Sequence, residues 1–465
     1  MSNLIYGVKD KPGLWKTFVF ALQQVLAILA ATIVVPVIIN TNQGLNDAGI
    51  YANMSQSAAL FGAGVGTIVY LLFTKFKSPV FLGSSFAFIG SMIVAFASAA
   101  ANIMLGYVGL IIGAIFAGLV YVVIAIAVKF AGTNWIDKIM PASVIGPTVA
   151  VIGLSLAGNA VGDLTKGSVL VNNVPTAHWA VALVCGLVTL AVVIACSVYG
   201  KKMMKMIPFI IGIIAGYLVA TIFTLIGMAT QNPALMVIDF SKFANMAWLP
   251  EFSFVNAFKG AKEINGAYIA GIAVAYVPVA FVVFAEHLAD HKNISSIIGN
   301  DLTKDPGLHR TLLGDGVGSM VGAFFGGCPN TTYGESVGCV AISRNASVVT
   351  ILTAACICIV SAFIAPFVTL LATIPSCVMG GVCFTLYGFI AVSGLKMIQK
   401  VDLNENNNLF TVSVILIAGV GGMVLNIGQV TLTAVACALI LGILVNLLGN
   451  IKCKKCAKEE KVEEK

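Results

Sequence analysis

The sequence predicts an all-α protein that crosses a membrane many times. Of its 465 residues, 59% are hydrophobic and only 10% are charged, and the mean hydropathy is +1.00. Soluble domains carry about 25% charged residues, whereas repeated apolar stretches of roughly 20 residues are typical of transmembrane helices. The 47 glycines suit helices that pack closely within a bilayer. We therefore predict a polytopic membrane protein.

Fourteen apolar runs follow one another along the chain. They lie near residues 17–39, 56–74, 86–98, 104–128, 140–160, 179–199, 207–227, 268–289, 311–327, 334–346, 347–370, 374–395, 409–425 and 429–448. The third and the tenth are too short to cross a hydrocarbon core of about 30 Å as helices that rise about 1.5 Å per residue. We predict fourteen transmembrane segments, in which these two complete a crossing with the residues around them.

The basic residues predict the orientation. If the N-terminus is cytoplasmic, 22 of the 26 Lys and Arg residues lie on the cytoplasmic side, which is the bias that the positive-inside rule expects. Removing one early segment would exchange the loops and spoil this bias. We therefore expect both termini in the cytoplasm. The polar, basic stretch 1–16 lacks the features of a cleavable signal peptide, and the net charge of +7 does not indicate nucleic-acid binding.

The two short segments also predict an internal repeat. Small, polar or extended residues precede each of them, SPVFLGSSFAF at 78–88 and GGCPNTTYGES at 326–336. Paired interrupted segments in two halves of a transporter indicate its binding site. Because these segments are seven apart, we predict two inverted halves of seven segments. The predicted parts are a cytoplasmic N-terminus (1–16), a first repeat (17–227), an extracellular linker (228–266), a second repeat (267–448) and a cytoplasmic tail (449–465).

Two glutamates stand where the apolar pattern is interrupted. They are Glu286 in FVVFAEHLADH and Glu335 in PNTTYGES, and we expect each to lie beside a backbone break. An ionisable group within a membrane segment costs about 2.5–3.5 kcal/mol on insertion scales, so it indicates a functional site by default. Burial favours the neutral form of a carboxyl group, which lets such a group exchange a proton and bind a polar ligand in a linked manner. The pair predicts a pocket for a small, flat, amide-like solute.

Other polar residues in these segments have competing interpretations. Asp315 is interpreted as a structural clasp or a helix-end residue, and for Asp290 a structural and a functional role stay equally open. His287 and His291 are four residues apart, a spacing that could hold a metal, but we interpret them as a helix-end pair without a metal. No phosphate-binding loop occurs in the sequence, and we do not interpret GSS at 83–85 or GES at 334–336 as a nucleophile elbow, so we predict no enzyme and no cofactor other than a coupling proton.

Four stretches resemble the nucleobase–ascorbate transporter family, in particular its uracil branch. They are AEHLADHKNISSIIGNDLTKDPGLHRTLLGDG (285–316), GGCPNTTYGESVGCVAISR (326–344), LQQVLAILAATIVVPVI (22–38) and LGSSFAFIG (82–90), and the resemblance extends from about residue 5 to 450. It implies fourteen helices in an inverted seven-plus-seven fold with core and gate domains. It also implies short antiparallel strands in segments 3 and 10, proton symport and a homodimer in the cytoplasmic membrane.

The resemblance further implies roles for individual residues. Glu286 would bind the N–H and carbonyl edge of a uracil ring, and Glu335 the opposite edge. The other implied contacts are the backbones of Gly334 and Phe86, and the side chains of Tyr333, Ala31 and Tyr387. Some members of the family carry a histidine four residues after the first glutamate, where this chain has Asp290 followed by His291. Glu286, Asp290 and His291 are therefore the candidates for carrying the coupled proton.

We predict a secondary transporter that imports uracil with a proton by movement of the core against the gate. One alternative is a proton symporter for xanthine or uric acid from the same family, because Ser336 stands where the uracil branch commonly has asparagine. A more distant alternative is an anion exchanger of the same architecture. That alternative requires a positively charged site where the two strands meet, and the tenth segment offers Glu335 and no Lys or Arg before Arg344.

Overall fold

The computed structural model describes residues 4–99, 102–132, 134–171, 174–201, 203–427 and 430–450. From position 451 onward, the predicted tail 449–465 lies outside the described residues. The helices of the first half are α1 (Leu14–Asn40), α2 (Gln43–Asp47), α3 (Gln56–Phe73), α4 (Ile89–Ala97), α5 (Ile103–Ala131), α6 (Asn134–Ile139), α7 (Ala142–Ser155), α8 (Ala157–Asp163), α9 (Trp179–Tyr199), α10 (Met203–Met206) and α11 (Pro208–Ala229).

The second half of the chain is also mainly helical. Its helices are α12 (Ser253–Gly260), α13 (Gly266–Ile298), α14 (Leu308–Gly326), α15 (Gly334–Ser343), α16 (Val348–Ser361), α17 (Ala365–Ala372), α18 (Ser376–Ile398), α19 (Asn406–Val420) and α20 (Ala434–Gly449). Short strands are β1 (Leu82–Ser84), β2 (Leu170–Val171), β3 (Val174–Pro175), β4 (Asn330–Thr332), β5 (Leu425–Ile427) and β6 (Val430–Leu432).

Many of these helices are long and apolar enough to cross a membrane. Within the described ranges eight helical stretches pass this test by length and composition, and nine do if α16 and α17 count as one bent span. Shorter apolar helices, among them α19 and α20, lie alongside them. The protein is thus a multi-pass membrane protein, as its composition predicts.

The run at 347–370, which the sequence predicts as one segment, is not one straight helix. The chain bends by 85° between α16 and α17. Pro366 stands in the first turn of α17. A proline is tolerated there because the first N–H groups of a helix have no intrahelical partner, whereas inside a continuous helix it removes a hydrogen bond and clashes with the preceding turn. The apolar composition of the run hides this bend.

Strands β1 and β4 join the two halves of the chain deep in the interior. They pair antiparallel with Gly83 opposite Thr331, and all six residues are buried. Buried backbone groups in a membrane protein must find partners within the protein. The side chain of Thr67 supplies one, since its Oγ1 accepts a hydrogen bond from the N–H of Leu82 at 2.9 Å. Each strand leads into a short helix, α4 or α15.

Two further hairpins were not predicted from the sequence. β2 pairs with β3, and β5 pairs with β6, both antiparallel. The second hairpin occupies the end of the predicted run 409–425 and the start of the predicted run 429–448. Val430 and Leu432 are apolar, so hydropathy alone cannot distinguish this strand from the first turn of the helix that follows it.

The helices pack in two groups. α3, α5, α13 and α14 pack together with α1, α4, α15 and α16. In the other group α7 packs with α18, α19 and α20, and α9 packs with α18 and α11. Glycines allow close contact: a Cβ atom on Gly62 of α3 would lie 2.5 Å from the carbonyl oxygen of Gly322 on α14. Such small-residue contacts are typical of helices in membranes, where the backbones approach closely. The candidate site lies where the two groups meet.

Candidate functional site

A cavity of about 490 Å³ lies between the two groups of helices. One wall comes from α1, α13, α15 and the residues around β1 and β4: Ala27, Phe86, Glu286, Ala289, Asp290, Thr331, Tyr333, Gly334, Glu335, Gly338, Cys339 and Ile342. The opposite wall is Val149, Ser197, Lys205, Pro208, Phe209, Leu386, Phe389, Ile390, Ser393 and Met397. The lining thus combines an apolar surface with three carboxyl groups, and Lys205 is the one basic residue in this described lining.

Helix α13 brings Glu286 and Asp290 to the same wall. Residues four apart lie on one face of a helix, and both side chains are half-buried at the cavity. The expectation that Glu286 lies beside a backbone break is wrong, because α13 runs without interruption to Ile298 and ends at Gly299 in a left-handed conformation (φ 69°). The polar residues of EHLADH resemble the end of a transmembrane helix in sequence. In the structure they lie within α13, which continues beyond them.

Helix α15 places Glu335 in its first turn, directly after β4. Gly334 and Glu335 both line the cavity. The first N–H groups of a helix have no intrahelical partner, so they are available to a ligand. The short strand and the short helix together thus present a carboxyl group and backbone donors at one place.

Tyr333 is fixed by the strand pair. Its hydroxyl donates to the carbonyl oxygen of Ser84 at 2.8 Å, and its backbone N–H donates to the carbonyl oxygen of Phe81 at 3.1 Å. The ring lies over Gly83, where a Cβ atom would be 2.3 Å from ring atom Cε2. Only glycine leaves room for the tyrosine at this position of β1.

A buried polar contact holds α15 against α1 and the start of β1. Oγ of Ser336 accepts hydrogen bonds from Nε2 of Gln24 and from the N–H of Phe81, the latter at 3.0 Å. Gln24 Nε2 also lies 3.3 Å from the carbonyl oxygen of Ser336. Gln24 was not singled out in the sequence, although the pair QQ at 23–24 within an apolar helix is a signal that could have identified it.

The structure places the predicted site residues unequally. Glu286, Asp290, Tyr333, Gly334, Glu335 and Phe86 all line the cavity. On α1, Ala27 lines it, whereas Ala31, one turn later, is buried in the hydrophobic core. Tyr387 is also buried, and its ring packs edge-to-face against Phe86 with ring centroids 5.9 Å apart. The sequence did not indicate Ala27 or the apolar wall from α7, α11 and α18.

The two histidines of α13 lie behind the cavity. His287 and His291 are fully buried and stack with ring centroids 3.9 Å apart. Nδ1 of His287 is 2.6 Å from Oδ2 of Asp315 on α14. Within the described ranges, no group of three or more His, Cys, Asp or Glu residues could hold a metal ion. His291 is not part of the described cavity lining; its Nε2 instead contacts the hydroxyl of Tyr70 on α3.

Comparison with known proteins assigns the chain to a family. The family model Xan_ur_permease, described as "Permease family", matches residues 15–428. The chain belongs to this permease family. The permease is 38% identical over 451 residues to the uracil permease of Bacillus caldolyticus, covering 96% of this chain and 95% of that one. It is 34% identical over 453 residues to the uracil permease of Escherichia coli K12, covering 97% and 95%.

Solved structures show the same fold at low identity. The transmembrane domain of the cyanobacterial bicarbonate transporter BicA aligns with a TM-score of 0.55 at 15% identity, covering 95% of the permease and 99% of that chain. The murine anion transporter Slc26a9 in its inward-facing state aligns with a TM-score of 0.61 at 12% identity, covering 95% and 69%. These structures show the fold, while the family match and the permease relatives make the chain a membrane transporter and not an enzyme.

Proposed function

We propose that this permease imports uracil through the cytoplasmic membrane together with a proton. The observation that carries the proposal is the presence of Glu286 and Glu335 in one cavity, next to the first turn of α15. The volume of about 490 Å³ lies within the range of about 300–1,000 Å³ that is usual for small-molecule sites. Relatives that carry the name uracil permease align over nearly the whole chain, which supports the same substrate here.

The donors and acceptors of uracil match those of the cavity. The ring has two N–H donors and two carbonyl acceptors, and carboxylate oxygens accept hydrogen bonds from N–H groups. Glu286 and Glu335 would bind the N–H groups, while the free N–H groups at the start of α15 and the backbone near Phe86 would bind the carbonyl oxygens. The aromatic rings of Phe86 and Tyr333 would contact the flat faces of the base. A neutral base adds no charge to the site.

Three carboxyl groups in one cavity provide the proton coupling. Glu286, Asp290 and Glu335 all line it, and neighbouring carboxyl groups resist ionising together. A proton on Glu286 or Asp290 would relieve this repulsion, so proton binding and base binding are linked. Glu286 and Asp290 are the proposed carriers, because His291 lies behind α13.

The proposed topology has fourteen segments, with both termini in the cytoplasm and two inverted halves. The helices around α3 and α14 form the core, and the helices around α7 and α18 form the gate. Ser197, Lys205 and Met397 line one end of the cavity near loops that the basic residues assign to the cytoplasm. The structure then corresponds to an inward-facing state, and rocking of the core against the gate would expose the base to the other side.

We also propose that the permease forms homodimers through gate helices.

An anion exchanger of this fold is a weaker candidate. The fold resembles that of bicarbonate and anion transporters, but the described lining has three carboxyl groups against one lysine, and Lys205 is exposed. A lining with excess negative charge repels anions. The same lining suits a neutral base that donates hydrogen bonds.

The decisive experiment is uptake of labelled uracil into proteoliposomes under an imposed proton gradient. We expect wild type to accumulate uracil, and Glu286→Gln and Glu335→Gln to lose accumulation, because an amide has one acceptor oxygen in place of two and cannot take up or release a proton. Glu251→Gln, at an exposed position, is the matched control. Uptake of labelled xanthine in place of uracil would overturn the substrate, and uptake by both glutamine variants at the wild-type level would overturn the site.

A further inference from the structure

A second buried polar cluster lies behind α13, away from the cavity. We name it the histidine clasp; it consists of Tyr70, His287, His291, Thr311 and Asp315. Each of these side chains is at most 1% exposed. The clasp connects α13 to α14 and α3, and the proposed transport mechanism does not use it.

The hydrogen bonds of the clasp define where the protons of His287 are. Thr311 donates its hydroxyl proton to the carbonyl oxygen of Leu308 at 3.0 Å. Its oxygen must therefore act as the acceptor in the 3.0 Å contact with Nε2 of His287, and Nε2 carries a hydrogen. The 2.6 Å contact between Nδ1 and Oδ2 of Asp315 then needs one more proton. Whether this proton is bonded to nitrogen or oxygen, the pair shares it and has no net charge.

The surroundings of this pair oppose the loss of that proton. Tyr121 of α5 presents its ring edge-on to His287, with centroids 6.1 Å apart and an interplanar angle of 89°. From α3, Tyr70 bonds to Nε2 of His291 at 2.6 Å, and Nδ1 of His291 bonds to the carbonyl oxygen of His287 at 2.8 Å.

In the described part of the chain, Asp315 forms an ion-pair contact with His287 alone. On α13 itself, Glu286 and Asp290 are the nearest acidic groups, and they face the cavity. A pair that lost its proton would leave an unpaired negative charge in a dry interior, which is strongly unfavourable.

We propose that the His287–Asp315 pair keeps its proton throughout transport and acts as a positioning clasp that fixes the rotation of α13. Successive residues of a helix point about 100° apart, so the clasp on His287 sets the direction of Glu286. His291, one turn later, is held in the same way and sets the direction of Asp290. The clasp thus positions both cavity carboxyl groups without touching the substrate. Its transport test rests on the proposed uracil function, whereas its spectroscopic test does not.

Two substitutions at one position separate positioning from proton transport. Asp315→Asn keeps a donor, since the amide N–H can bond to Nδ1 of His287. We expect it to retain gradient-driven uracil accumulation, with a KM within about threefold of wild type. Asp315→Leu removes the bond and keeps the branched arrangement of heavy atoms, although its methyl groups are larger than the carboxylate oxygens. We expect its KM to rise about tenfold or more, with a smaller change in kcat, since misplaced binding groups weaken binding. Thr311→Val, which removes the acceptor of Nε2–H, should raise KM in the same direction if the leucine variant fails to fold.

Other results would overturn the proposal. If Asp315→Asn still exchanges external for internal uracil but no longer accumulates it with a proton gradient, Asp315 carries the coupled proton and is not a positioning residue. If Asp315→Leu and Thr311→Val both leave KM unchanged, the clasp does not position α13. A wild type that transports no uracil counts against the proposed function alone.

The spectroscopic test needs no substrate. The chain has four histidines, so ¹⁵N-histidine NMR of the purified full-length protein, with His287→Gln to assign the signal, can report the protons of His287. We expect a hydrogen on Nε2 and a signal that does not titrate between about pH 5 and 8, the range in which free histidine titrates. A His287 signal that titrates in that range would overturn the proposal whatever the substrate is.

Discussion

Thr332 donates a hydrogen bond from its hydroxyl to Oδ2 of Asp290 at 2.9 Å. This bond connects the end of β4 to the middle of α13, two elements that are 42 positions apart in the chain at these residues. Glu335 follows Thr332 by three residues, and Glu286 precedes Asp290 by one helical turn. The bond therefore couples the two elements that carry the glutamates of the candidate site.

Loss of this bond should weaken the site. Thr332 is fully buried, so Thr332→Val keeps the shape but leaves Asp290 without this donor. We expect the free energy of uracil binding, measured by calorimetry, to become less favourable by about 1–3 kcal/mol, the usual range when a buried group loses its hydrogen-bond partner. Thr332→Ser keeps the hydroxyl and should bind nearly as wild type does. Equal binding by the valine and serine variants would contradict the coupling.

The contact between Gly83 and Tyr333 should not tolerate a methyl group. In Gly83→Ala the new Cβ would lie 2.3 Å from the tyrosine ring, so the ring or the strand must shift. We expect most uracil uptake to be lost, because Tyr333 lines the cavity. Gly90→Ala is the matched control, since its Cβ would have its nearest neighbour 3.7 Å away, at Cγ2 of Thr433. Uptake by the Gly83 variant at the level of the Gly90 variant would refute this prediction.

Ser336 should contribute to stability as well as to the site. Its Oγ accepts from Gln24 and from the N–H of Phe81, so Ser336→Ala leaves two buried donors without this acceptor. We expect the free energy of unfolding to fall by about 1–3 kcal/mol for each donor left without a partner. The measurement is the thermal midpoint in detergent, which should be lower. Ser413→Ala is the control, because Ser413 is exposed and donates to the carbonyl oxygen of Leu409 in its own helix. No difference between the two variants would count against this role.

The cavity should be open to water at Ser393, which lines it and is exposed. We expect Ser393→Cys to react with a small charged thiol reagent, because a thiol reacts as thiolate and needs water to ionise. Uracil at saturating concentration should slow the reaction. Ser413→Cys, at an exposed position of α19 outside the described lining, serves as the control for a thiol away from the cavity. If both variants react equally and uracil protects neither, the cavity is not the substrate path.

Particular residues show how far sequence reasoning reaches. The small and extended residues of SPVFLGSS and GGCPNTT predict that the chain is not helical at these two places, and the structure has β1 and β4 there. Glu335 could be found because it stands within such an interruption. Glu286 could be found because a carboxyl group is rare in an apolar run, although its expected backbone break is absent. Pro366 was a local signal for the bend after α16 that a hydropathy average conceals.

Contacts between distant residues could not be predicted in the same way. Gln24 and Ser336 are 312 positions apart, and only the packing of α1 against α15 brings them together. The choice between Ala27 and Ala31 depends on the position and tilt of α1 against its neighbours, since residues four apart share a face. The apolar wall from α7, α11 and α18 carries no sequence mark, because lipid-facing, buried and cavity-facing residues in a membrane helix are all apolar.

The sequence by itself determined the class of protein, the interrupted third and tenth segments and the two glutamates, since these depend on composition and on local costs of placing polar groups in a bilayer. The tertiary structure decided which carboxyl groups share a cavity and which lie behind it. Asp290 and His291 are neighbours in sequence, yet one faces the cavity and the other packs against Tyr70. A helix turns about 100° per residue, so its rotation, fixed by packing against other helices, assigns adjacent side chains to different environments.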